Sequence, residues 1–212
     1  MVGHEALLRW RHEQRGLLAP GAFLDVGEES GLIEQVDWLM YARVIADMAR
    51  TDMDGYVAIN VSPRHFRSLD FADRLLGLLD IAHVAPSRLR IEITEVALLD
   101  DAPRISQTLN MLRERGVLAQ LDDFGTGFSA LSYLHRFPIA ALKIDRSFVA
   151  DLDGDARAES VAVIRAIVAL AGSLGIELIA EGVETLAQRD RLMELGCTYA
   201  QGFLYGRPEP LA

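Results

Sequence analysis

Short apolar runs alternate along the chain with longer segments in which apolar residues recur at helical spacing. The short runs predict strands at Ala6–Trp10, Val57–Val61, Leu89–Thr94, Leu118–Asp122, Ala141–Ile144, Glu177–Ala180 and Thr198–Gln201. The longer segments predict helices at Ile33–Arg50, Phe71–Ile81, Ala102–Arg115, Ala156–Leu174 and Leu186–Leu195. Gly116, Gly175 and Gly196 stand where helix C-caps are expected. Strands that alternate with helices indicate βα units and a parallel sheet.

The number of predicted strands favours one fold class. Seven strands are one fewer than an eight-stranded βα barrel needs, and such barrels typically have about 250 residues. A doubly wound open sheet is the alternative, but no glycine-rich phosphate loop follows an early strand. The 212 residues contain no linker or low-complexity run, and they fit one domain. The predicted fold is therefore α/β, a modified TIM-type βα barrel.

Polar side chains stand at or near the carboxyl ends of the predicted strands. They are Asn60, Glu92, Glu95, Asp122, Asp123, Lys143, Glu181 and Gln201. A single carboxylate at a strand end is more often a helix N-cap or a solvated loop residue, and a single lysine there often only extends to solvent. Neither explanation covers carboxylates, amides and a lysine together. Because barrel enzymes place their chemistry at the carboxyl ends of strands, we expect these side chains to converge on one face.

The oxygen donors in this set indicate a metal site. Carboxylates and amides without His or Cys favour magnesium or manganese over zinc or copper. Asp122 and Asp123 are adjacent, and a bridging carboxylate can bind two cations about 4 Å apart, as in phosphodiester hydrolysis. Two unneutralised carboxylates so close would repel each other, so the pair is best explained by bound metal.

The composition limits which ligands the protein can bind and indicates the cellular compartment in which it is expected. Half of the residues are apolar, a quarter are charged, and no apolar run is long enough to span a membrane. The net charge of −10 should repel DNA, whereas a small phosphate ligand can still bind through carboxylate-held metals. Cys197 is the single cysteine and is interpreted as a buried apolar residue. With no signal peptide at the start of the sequence, we expect a cytoplasmic protein.

Seven motifs carry a resemblance to a known family. They are Glu5-Ala6-Leu7 continuing as Leu8-Arg9-Trp10, NVSPRHF from Asn60, EITE from Glu92, LDDFGTGFSALSYL from Leu121, LKIDRSFV from Leu142, AEGVET from Ala180 and AQGFLYGRP from Ala200. In this order and spacing they resemble the EAL family of cyclic-di-GMP phosphodiesterases over essentially the whole chain. The resemblance implies a modified βα barrel that cleaves cyclic di-GMP to linear pGpG, with two magnesium or manganese ions.

The resemblance also implies roles for individual residues. The metal ligands would be Glu5, Asn60, Glu92, Asp122 and Asp123, with Asp122 bridging the two ions. Lys143 and Glu181 resemble the residues that hold and activate the attacking water. Substrate contacts would come from Arg9, Gln201 and Leu7. Glu95 resembles a glutamate that anchors the loop Asp123–Gly127 and so supports catalysis.

One departure from the family concerns the start of the sequence. Family members carry a strand before the EAL strand, and only Met1–His4 precede Glu5 here. We therefore expect residues 1–212 to form an EAL-type domain truncated at its N-terminus, with sheet edges at Ala6–Trp10 and Thr198–Gln201 and a homodimer formed through that seam. Sensor or cyclase domains would lie outside this sequence. The alternative function is a receptor that binds cyclic di-GMP without cleaving it, but every ligand position is filled, which favours hydrolysis.

Overall fold

A curled parallel sheet of seven strands forms the centre of the fold. The structure, a computed structural model, describes residues 2–51, 53–95, 97–126, 134–153 and 157–210. The strands of the sheet are β1 (Gly3–Ala6), β4 (Tyr56–Asn60), β5 (Leu89–Thr94), β6 (Leu118–Phe124), β7 (Ile139–Ile144), β8 (Glu177–Ala180) and β9 (Tyr199–Ala200). They are hydrogen-bonded in that order. The α/β fold with a curled parallel sheet is as predicted.

Helices cover the outer face of the sheet. Those described are α1 (Leu24–Glu29), α2 (Ile33–Arg50), α3 (Phe71–Ala82), α4 (Ala97–Asp100), α5 (Ala102–Glu114), α6 (Arg146–Ala150), α7 (Arg157–Leu174) and α8 (Leu186–Leu195). Strand residues alternate between faces, and on β5 the apolar Leu89, Ile91 and Ile93 belong to the buried core shared with the helices. The intervening Glu92 lies on the opposite, inner face, where the sheet's curl encloses polar side chains.

The predicted elements agree closely with the observed ones. β5, β8, α2 and α8 have the predicted bounds, and the other predicted elements begin and end within two residues, apart from the first strand. Of the predicted helix Ala156–Leu174, Ala156 lies outside the described residues. Gly116, Gly175 and Gly196 all have positive φ, and they end α5, α7 and α8 as expected of C-caps.

The prediction of a strand at Ala6–Trp10 was wrong. The first strand ends at Ala6, and Trp10–His12 (β2) instead pairs with Gly16–Leu18 (β3) in a separate antiparallel hairpin. The turn of the hairpin is fixed locally, because His12 Nδ1 accepts hydrogen bonds from two backbone N–H groups in it. Trp10 pairs with Leu18 in this hairpin and packs edge-on against Phe23.

The strand order places β1 and β9 at the two ends of the sheet. The edge predicted at Thr198–Gln201 is confirmed as β9, whereas the other edge is Gly3–Ala6. Toward the amino ends of the strands, a cavity of about 170 Å³ lies between the two edges, lined by Val2, Tyr56, Arg90, Glu177 and Tyr199. Arg90 spans this region, pairing with Glu177 at 2.8 Å and stacking on the Tyr56 ring.

Two further features bear on the sequence-based expectations. Cys197 is buried, as predicted, and burial raises the pKa of its thiol to about 11. Within the described part of the chain, no helix combines the length and the apolar character needed to cross a membrane.

Candidate functional site

The carboxyl ends of the parallel strands meet at one edge of the curled sheet, and most of the predicted site residues lie there. They are Glu5 on β1, Asn60 on β4, Glu92 on β5, Asp122 and Asp123 on β6, Lys143 on β7, Glu181 directly after β8 and Gln201 directly after β9. The strand register sets Asn60 beside Glu92 and Thr94 beside Asp122. Parallel pairing therefore brings together residues that are far apart in the sequence.

Lys143 stands at the centre of this group. It is the only lysine in the chain and is 1% exposed. Its Nζ lies 2.6 Å from Glu181 Oε1, 2.9 Å from Glu92 Oε1, 3.2 Å from Asp122 Oδ1 and 3.6 Å from Glu5 Oε2. One ammonium therefore faces four carboxylates, and the group retains an excess of negative charge.

Side-chain amides hold the carboxylate of Glu5. Asn60 Nδ2 donates to Glu5 Oε1 at 3.0 Å, and Gln201 Nε2 donates to Glu5 Oε2. The second contact joins Glu5 on β1 to Gln201 directly after β9, so the end strands of the sheet approach each other at this edge. Asn60 is itself fixed from α2, because the buried hydroxyl of Tyr41 donates to the Asn60 carbonyl at 3.1 Å.

A tight turn presents the adjacent aspartates. Asp123 has φ 53°, in the left-handed region that aspartate tolerates better than most residues. Its backbone N–H donates to Asp122 Oδ1 at 3.1 Å, and its carbonyl accepts from the Thr126 hydroxyl at 2.9 Å. Gly125 follows at φ 100°, where a Cβ atom would lie 3.0 Å from the Phe148 ring, so the turn requires glycine there.

The electrostatics of the group follow from its burial. Burial raises the pKa of Glu92 to about 8, although the nearby charge of Lys143 acts in the opposite direction. The same balance raises the pKa of Glu181 to about 7. Burial would lower the pKa of Lys143, but the surrounding carboxylates outweigh it and raise that pKa, so the ammonium stays charged. Burial, with the charges of Asp122 and Asp145, raises the pKa of Asp123.

The arrangement fits a hard divalent cation. One oxygen each from Asp122, Asp123 and Glu181 lie within 4.8 Å of one another. Glu92 Oε2 is buried and accepts no hydrogen bond from the residues that the structure describes. Oxygen ligands of this kind suit Mg²⁺ or Mn²⁺. Added positive charge would also favour ionised forms of Glu92 and Glu181, which one lysine does not fully neutralise.

Three predicted site residues lie apart from the contacts described above. The Arg9 guanidinium donates to the neighbouring Leu8 carbonyl at 2.7 Å, and Leu7 is exposed just after β1. Glu95 is buried in the turn after β5. The loop that it was predicted to anchor extends to Gly127, which lies outside the described residues, so the anchoring role stays a prediction.

Sequence reasoning missed three residues near the group. Asp145 follows β7 and lies close enough to Asp123 to help raise the pKa of that residue, and its place after a strand in ALKID was an available signal. Gln120 is a buried polar residue inside β6, visible in the sequence as an interruption of an apolar run. Tyr41 gave no signal, because its bond to Asn60 joins a helix to a strand through the tertiary fold.

Comparisons with known proteins agree with the geometry. The family model described as EAL domain matches residues 1–208. The bifunctional diguanylate cyclase/cyclic di-GMP phosphodiesterase MucR of Pseudomonas aeruginosa is 42% identical over 99% of this chain and 31% of MucR. The cyclic di-GMP phosphodiesterase RocR of the same organism is 39% identical over 99% of this chain and 54% of RocR. The chain therefore spans less than a third of MucR and about half of RocR.

Solved structures share the fold. A MucR phosphodiesterase in complex with cyclic di-GMP has a TM-score of 0.91 and 41% identity, over 97% of this chain and 84% of that one. A manganese and cyclic-di-GMP complex of BlrP1 from Klebsiella pneumoniae has a TM-score of 0.75 and 31% identity, over 82% and 44% of the two chains. Together with the family match over nearly its full length, these similarities show that the chain belongs to the EAL domain family.

Proposed function

We propose that residues 1–212 act as an EAL-type phosphodiesterase unit that hydrolyses cyclic di-GMP to linear pGpG, with two Mg²⁺ or Mn²⁺ ions. The observation that carries the proposal is the approach of the Asp122, Asp123 and Glu181 oxygens to within 4.8 Å, beside a buried lysine. The choice of cyclic di-GMP as the substrate is supported by the similarity to MucR and RocR, which are cyclic di-GMP phosphodiesterases, and by the solved complex of MucR with cyclic di-GMP.

The acidity of the protein is consistent with this substrate only if cations are present. The chain carries a net charge of −10, and its carboxylates gather where the anionic substrate would bind. Under the proposal, Glu5, Asn60, Glu92 and Asp122 would hold one ion, and Asp122 and Asp123 would hold the second, with Glu181 close beside them. Bound cations of this kind neutralise phosphate charge and lower the pKa of water.

The protein's own groups orient and activate the attacking water. Glu181 lies 2.6 Å from Lys143 Nζ at the open edge of the sheet, where it can accept a proton from that water. Lys143 holds Glu181 and Glu92 in fixed positions and offers positive charge to the phosphate oxygens. The water oxygen forms a bond to phosphorus in line as the P–O3′ bond breaks, and the departing O3′ takes up a proton, so that one water is consumed. Gln201, Arg9 and Leu7 contact the substrate around this centre.

Product analysis tests the proposal. Purified protein is incubated with cyclic di-GMP and Mg²⁺, and the nucleotides are separated by chromatography. The proposal predicts that cyclic di-GMP disappears while pGpG accumulates in equal amount. Cyclic di-GMP that is bound, as measured by calorimetry, but never cleaved would instead establish a receptor and contradict the hydrolytic function.

A further inference from the structure

Gln120 is a buried amide on the inner face of the sheet that the proposed chemistry does not use. It lies on β6, is 1% exposed, and precedes Asp122 by two residues, so both side chains point to the same face. Its register partner on β5 is Glu92, and its partner on β7 is the small residue Ala141. Gln120 therefore lies beside Glu92, one layer below the open edge.

Two complementary polar atoms are left without partners in this layer. Gln120 Nε2, a donor, and Glu92 Oε2, an acceptor, are both buried, and neither has a hydrogen-bond partner among the described residues. Buried polar groups in native proteins are nearly always paired, since an unpaired one loses its hydration without compensation. Register partners in adjacent parallel strands lie only about 5 Å apart, which is within reach of two long side chains.

Glu5, in the same group, shows how side-chain amides bind a carboxylate. Each oxygen of Glu5 accepts a hydrogen bond from a side-chain amide, one from Asn60 and one from Gln201. On Glu92, Oε1 lies 2.9 Å from Lys143 Nζ, and Oε2 has no such bond. Gln120 is the amide placed to supply it.

We propose that Gln120 is a positioning residue whose side-chain amide donates a hydrogen bond to Glu92 Oε2 and so orients the Glu92 carboxylate toward the cation. This inference rests on the proposed metal site. Each carboxylate oxygen has two lone pairs, so the bond from Gln120 leaves acceptor capacity for the ion. Loss of a group that orients a metal ligand typically weakens metal affinity by about 10–100-fold.

The test is the binding of Mn²⁺ to the full chain, measured from the EPR signal of the free ion. Gln120→Met keeps the length of the side chain and removes the amide, and we expect it to raise the Mn²⁺ dissociation constant by about 10–100-fold. At saturating Mn²⁺ the KM for cyclic di-GMP should stay close to that of the parent, because Gln120 lies below the substrate edge. Leu118→Met, on the same face of β6, is the matched control for repacking and should leave Mn²⁺ affinity unchanged.

The outcomes separate the inference from the proposed function. If the parent chain binds no Mn²⁺, the proposed metal site itself fails. If the parent binds and Gln120→Met binds equally well, or if Leu118→Met shows the same loss, the positioning role is overturned. In a Glu92→Gln background, Gln120→Met should weaken Mn²⁺ binding much less than it does in the parent. An equally large loss of Mn²⁺ affinity in that background would show that Gln120 does not act through Glu92. Gln120→Ala, which also lacks the amide, replaces Gln120→Met in every comparison if the latter does not fold.

Discussion

Replacing Lys143 with methionine is the sharpest test of how the site is held together without metal. The change keeps most of the side-chain length and removes the ammonium that contacts four carboxylates at 2.6–3.6 Å. Two unit charges about 3 Å apart attract by roughly 5 kcal/mol at an effective dielectric constant of about 20. Desolvation of the ammonium offsets much of this attraction, because the side chain is 1% exposed.

The loss of stability depends on the carboxylates that the substitution leaves without a positive partner. Removing one partner from a buried ion pair typically costs about 3–5 kcal/mol, since the other charge is left uncompensated. We therefore expect the free energy of unfolding of Lys143→Met to fall by about 3–5 kcal/mol at pH 8 without metal. Mg²⁺ should recover part of this loss, because a bound cation supplies the missing positive charge and stabilises only the folded state.

Urea denaturation with and without saturating Mg²⁺ measures both effects. Arg115→Met is the matched control, because Arg115 and Asp80 form an exposed ion pair that should contribute at most about 1 kcal/mol. If Lys143→Met lowers the unfolding free energy no more than Arg115→Met does, or if the loss is the same with and without Mg²⁺, then Lys143 does not hold the carboxylates together.

Further predictions concern the substrate, the core and the thiol. Arg9→Ala should raise the KM for cyclic di-GMP more than it lowers kcat, because Arg9 is proposed to bind and not to react; steady-state kinetics with an unchanged KM would contradict this. His65→Ala should lower the unfolding free energy measured in urea by at least about 1–3 kcal/mol, because it leaves Asp37, 2.9 Å from His65 Nε2, as a buried carboxylate without that hydrogen-bond partner. No measurable loss would show that Asp37 needs no such partner. Cys197 should be alkylated far more slowly in the native protein at pH 8 than in guanidinium. Burial limits access to the thiol, and with a pKa of about 11 only about one thiol in a thousand is ionised at that pH. Equal alkylation rates in the two conditions would contradict its burial.

Patterns with a fixed geometric consequence were predictable from the sequence. Carboxyl ends of parallel strands meet at one edge, so the positions of Asn60, Glu92 and Asp122 at predicted strand ends were enough to group them. In the structure Lys143 contacts Glu92, Asp122 and Glu181, and Asn60 contacts Glu5, so these residues do lie together. The roles of these residues in catalysis remain proposals.

Features that depend on tertiary contacts were not predictable. The run from Ala6 to Trp10 looks like one strand, but Trp10 packs on Phe23 and pairs within a hairpin. No sequence pattern shows that the Tyr41 hydroxyl reaches the Asn60 carbonyl from α2. Gln120 looks like an irregularity in β6 until the register sets it beside Glu92.

If the carboxylates at this edge hold cations that are needed for hydrolysis of cyclic di-GMP, the activity must depend on metal. The most direct measurement is the rate of pGpG formation by the parent chain in Mg²⁺, after exhaustive chelation, and after Mg²⁺ is restored, with Asp122→Ala assayed in parallel. We expect activity that chelation abolishes and Mg²⁺ restores, together with a loss of at least ~100-fold in Asp122→Ala. Full activity after chelation, or near-parent turnover in Asp122→Ala, would contradict it.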